Sequence, residues 1–200
     1  MKKLEQLKII NLDLLKNEFA IARTSFEIAK KYKELAQNLD DSNVDQKAIL
    51  PFYIFTSFAH LNHCLMSIRK IFFDKQSKSV QSIARYFDNG SLGEEWMEYK
   101  ETFLNLKRKY PIIESDINEI IAHIGKNRNQ NSIFQITENR FKEIENLLDE
   151  IVELINNFPN NKAGIFLHEH SALINVMFGF DNLITVTNNG IKNRHQKNAN

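Results

Sequence analysis

Residues 46–73, QKAILPFYIFTSFAHLNHCLMSIRKIFF, decide the fold class. Ile54, Phe58, Leu61, Leu65, Ile68 and Phe72 recur in alternating steps of four and three, which lines up one face of an α-helix. Phe52, Phe55, Ala59, Met66 and Phe73 add a second apolar stripe, so the segment reads as a central helix. Asn43 followed by Gln46 resembles a capping box at its start.

Working outward, residues 2–38 place Leu15, Phe19, Ala22, Phe26, Ala29 and Ala36 at helical spacing. A shorter helix is expected at about 77–88, stopped by Asn89-Gly90. Over 92–110, Leu92, Trp96, Tyr99, Phe103, Leu106 and Tyr110 share one stripe. Pro111 then suits the first turn of another helix, where its missing N–H would be unpaired anyway. Gly125 to Ser132 reads as a polar loop. Thr137 is expected to cap a helix running to Phe158, with Phe141, Ile144, Leu147, Leu148, Ile151, Leu154 and Ile155 facing inward and Pro159 ending it. Between 138 and 153 that helix carries two basic and six acidic residues, which reads as a solvated face. The chain has six glycines and three prolines, too few for many short strands. The expected fold is all-α: one up-and-down bundle of five or six main helices over 1–158, a C-terminal extension over 159–190 packed on it, and a loose basic tail over 191–200.

Composition excludes several classes. At 42% hydrophobic and 26% charged, the chain is too apolar for a disordered one. A net charge of +1 gives no global basic field, so DNA is not expected as a partner and any RNA contact needs a local patch. The single cysteine, Cys64, excludes an intrachain disulfide and suits a reducing compartment. No apolar run reaches the roughly 18 residues that span a bilayer. Charged residues interrupt the N-terminal stretch before a signal-peptide core can form. A cytoplasmic protein without membrane contact is expected.

The segment Pro111–Asn127, PIIESDINEIIAHIGKN, carries the first candidate site. Ile113, Ile117, Ile120, Ile121 and Ile124 cluster on one face. His123 falls near Asp116, Glu119 and Asn127 on the flank, with Glu119 and Asn127 each one turn away. A neighbouring carboxylate would favour the imidazolium and poise it near neutral pH as a proton donor or acceptor. The plainer reading is a boundary histidine held by Glu119. Lys107, Arg108, Lys109 and Tyr110 on one side and Lys126 and Arg128 on the other bracket this helix and could meet phosphates, although such clusters also serve solubility alone. His60, His63 and Cys64, with His168 and His170, could in principle ligate zinc, but no zinc signature is present and no metal is expected.

Two stretches resemble the HEPN superfamily of helical domains, and within it the AbiU-like branch associated with bacterial abortive infection. The first is LMSIRKIFFDKQSKSVQSIARYF, residues 65–87, where Arg69, Asp74, Ser77, Ser79 and Ile83 occupy the pattern. The second is INEIIAHIGKNRN, residues 117–129, which resembles that branch's motif of arginine, aspartate or asparagine, three residues, alanine and histidine. The resemblance implies a metal-independent endoribonuclease without cofactor, built as a homodimer that brings two such helices together. In it, His123 matches the family histidine as acid/base and Asn118 the polar position, while the arginine position is occupied by Ile117. An isoleucine cannot bind phosphate. Arg128 or Arg108 could stand in, with Lys109 and Lys126 as further RNA contacts. The resemblance implies a bacterial defence or toxin–antitoxin protein, with RNA as substrate and an antitoxin or defence-system protein as partner. The competing class is a non-catalytic HEPN bundle serving as an interaction or regulatory protein, with Ile117 as core and His123 structural.

Overall fold

A computed structural model describes residues 2–39, 43–73, 82–84, 97–123 and 138–158, with side chains from residue 12 onward and not for Asp45 or 119–123. Five helices make up nearly all of it: α1 (Lys2–Gln37), α2 (Val44–Ile68), α3 (Met97–Lys109), α4 (Pro111–His123) and α5 (Glu138–Asn156). No strand occurs among the described residues. The all-α expectation holds for these. The expected 77–88 helix with its Asn89-Gly90 stop, Leu92, Trp96, the loop after Gly125, the Thr137 cap, the Pro159 stop and everything from 159 to 200 lie outside them, apart from Ser82–Ala84.

α1 forms because Leu12, Leu15, Phe19, Ala22, Phe26 and Ala29 recur at steps of three and four, and all six are buried. α2 runs antiparallel to it. The Ser57 hydroxyl donates to the Ala29 carbonyl at 2.7 Å, the Ser25 hydroxyl meets His63 Nδ1 at 3.1 Å, and Lys70 Nζ pairs with Glu18 Oε1 at 2.9 Å. One residue number falls as the other rises. The Asn43 side-chain oxygen accepts from the Gln46 N–H at 3.3 Å, so the predicted cap of α2 is present. Pro51 lies inside α2, and Lys47, four residues earlier, loses its helical donor there.

α2 departs from the expectation in its first half. Leu61, Leu65 and Ile68 are buried, and the helix closes in a wide π turn, Arg69–Phe73, that buries Ile71, Phe72 and Phe73 together. Yet Phe52 is 55% exposed, Phe55 66% and Ile54 41%, and Ala59 is exposed as well. The second apolar stripe therefore faces outward up to Ala59, and Ile54, at the head of the first stripe, is exposed as well. The inward side of α2 is instead Ser57, Leu61, Cys64, Leu65 and Ile68, all buried. Small residues there let α1 approach closely.

α5 packs antiparallel to α1. Phe141, Ile144, Leu147, Leu148, Ile151, Leu154 and Ile155 are all buried, as predicted, with Val152 and Phe158. Phe26 and Phe141 pack with ring centroids 5.8 Å apart. The acidic face of α5 is not merely solvated, as the sequence suggests, because α1 answers it with cations. Arg23 Nη1 lies 2.7 Å from Asp149 Oδ1, Lys30 Nζ 2.9 Å from Glu145 Oε1, and Lys33 pairs with Glu138. Exposed pairs of this kind contribute about 0.2–1 kcal/mol each, whereas burying one Phe or Leu contributes about 1.5–3 kcal/mol. The apolar seam supplies the stability, and the ladder of ion pairs along its rim fixes the register of α5 on α1.

α3 buries Phe103 and Leu106, and Phe103 meets Phe72 of the π turn edge-on with centroids 5.2 Å apart. Its last turn carries Lys107, Arg108 and Lys109, where cations suit the helix dipole. Tyr110 alone joins α3 to α4. Pro111 opens α4 as predicted, and the first helical bond runs from the Glu114 N–H to the Tyr110 carbonyl at 3.3 Å.

Candidate functional site

α4 presents one face inward and one flank outward. Ile113 is buried, and Ile117, which stands where the resemblance would put an arginine, is 1% exposed. The next residue, Asn118, is exposed. Asp116 lies on the outward flank and is half-buried. His123 is the last residue of α4. It follows Asp116 by seven positions, about two turns of helix. Its side chain lies outside the described residues, as do those of Glu119, Ile120, Ile121, Ile124, Lys126, Asn127 and Arg128.

The guanidinium on this flank is one that the sequence reading missed. Arg140 of α5 reaches across, with Nε 2.8 Å from Asp116 Oδ2 and Nη1 2.6 Å from Glu143 Oε2. The Glu143 contact spans three residues of one helix and is a readable pattern. The Asp116 contact joins residues from separate helices, and nothing in the local sequence marks it.

The expected basic residues at the end of α3 are placed differently. Arg108 is exposed, and its Nη1 lies 3.4 Å from Asn105 Oδ1 on its own helix. Lys109 is paired with Glu150 of α5, and its ammonium lies 5.6 Å from the Tyr110 ring centroid. Glu150 also accepts from the Tyr110 hydroxyl at 2.8 Å. Burial, followed by that bond, pushes the Tyr110 phenol well above its ordinary value. Beside it, between α3 and α5, opens a cleft of about 690 Å3 lined in part by Glu98, Tyr99, Thr102, Glu150 and Glu153. Arg140 is thus held by Asp116 and Glu143, and Lys109 by Glu150, so a phosphate would have to displace a carboxylate to reach either.

His60, His63 and Cys64 of α2 differ in their surroundings. Cys64 is wholly buried, and burial pushes its thiol far above the ordinary value. Ser67 is also buried, while His63 is exposed and holds Ser25. Partial burial, then the neighbouring His63, lowers the pKa of His60. Among the described residues no group of three or more His, Cys, Asp or Glu side chains could hold a metal ion. His168 and His170 lie outside them. Nor is any described helix long and apolar enough to cross a membrane.

No family model, curated protein or solved structure matches this chain.

Proposed function

We propose that this chain is a HEPN-type helical bundle of bacterial defence or toxin–antitoxin type that works through protein contacts rather than by cutting RNA. The observation that carries the reading is the burial of Ile117. The position that would hold the transition-state arginine is filled by a core residue, and the Arg140 guanidinium near it is already held by Asp116 and Glu143. An RNase of this type needs a cation where charge develops, and removing one such contact commonly costs about 2.7–4 kcal/mol of barrier lowering. The test is expression in a bacterial host beside incubation of the purified chain with RNA in EDTA. Intact RNA, and the same growth for wild type and His123→Ala, supports the reading. RNA cleavage that disappears in His123→Ala would sink it.

One observation favours a second reading, a metal-independent endoribonuclease with His123 as acid/base and Asn118 as positioning group. Arg140 brings a guanidinium to Asp116, seven positions before His123 in the same helix. It would join Arg128 and Arg108 as a substitute phosphate clamp, with Lys109 and Lys126 alongside. Here cleavage would be lost in Arg140→Ala as well as in His123→Ala, and a homodimer would bring two such helices together.

A further inference from the structure

We draw no further inference here: the strongest candidate, the cleft between α3 and α5 lined in part by Glu98, Glu150 and Glu153, carries none because nothing in the structure besides that acidic cluster points to a ligand.

Discussion

Arg140 Nε lies 2.8 Å from Asp116 Oδ2, and this contact ties the outward flank of α4 to α5. Both side chains are partly buried, so the pair is screened less than an exposed one. Asp116→Asn should lower stability by about 0.5–1 kcal/mol, a fall in Tm of about 1–4 °C for a chain of this size. A double-mutant cycle with Arg140→Met in urea measures the coupling. A value indistinguishable from zero would show that the contact contributes nothing.

Ile117 separates core from site. Ile117→Val should cost about 0.5–1.5 kcal/mol, as for other buried isoleucines. Ile117→Arg, which would supply the arginine of the motif this segment resembles, buries an uncompensated charge and should cost more than about 3 kcal/mol. Urea midpoints read both. An arginine variant as stable as wild type would mean that the side chain turns outward, and the non-catalytic reading would lose its support.

Cys64 should be inert in the folded protein. Its thiol is wholly buried and its pKa is pushed upward, so little thiolate is present at neutral pH. Labelling with a thiol reagent should be negligible in native buffer and complete in denaturant. Fast native labelling would contradict the packing of α2 on α1.

His60 gives stability a pH dependence of defined sign. Its folded pKa is lowered by burial, then by His63, from an ordinary 6.5. The unfolded chain therefore binds more protons below that value, and stability falls as pH drops through 6.5 toward the folded pKa. Above 6.5 the contribution is fully present. Urea midpoints between pH 8 and 5 should fall for wild type and fall less for His60→Gln. Equal slopes would remove His60 as the cause.

Much of this fold was legible because α1, α3 and α5 each have one apolar face. Phe19 and Phe26 in α1 and Ile144 and Ile151 in α5 could only point inward. Asn43 and Pro111 mark helix starts for local reasons, a side-chain acceptor and a missing donor. α2 was legible as a helix but not in its orientation. It is apolar around most of its circumference, so period alone could not choose between Phe55 and Leu61. The choice depends on Ser57 reaching the Ala29 carbonyl, a contact between segments 28 residues apart. The candidate site divides in the same way. Ile117 as core follows from the isoleucine stripe, whereas Arg140 at Asp116 depends on how α5 lies against α4, which its own sequence does not encode.

A single residue, Tyr110, forms the elbow between α3 and α4, and its hydroxyl is anchored to Glu150 of α5. Two helices hinged on one pinned residue have no slack between them. The angle between α3 and α4 is therefore set from outside the elbow, by the bond that Tyr110 makes to a third helix.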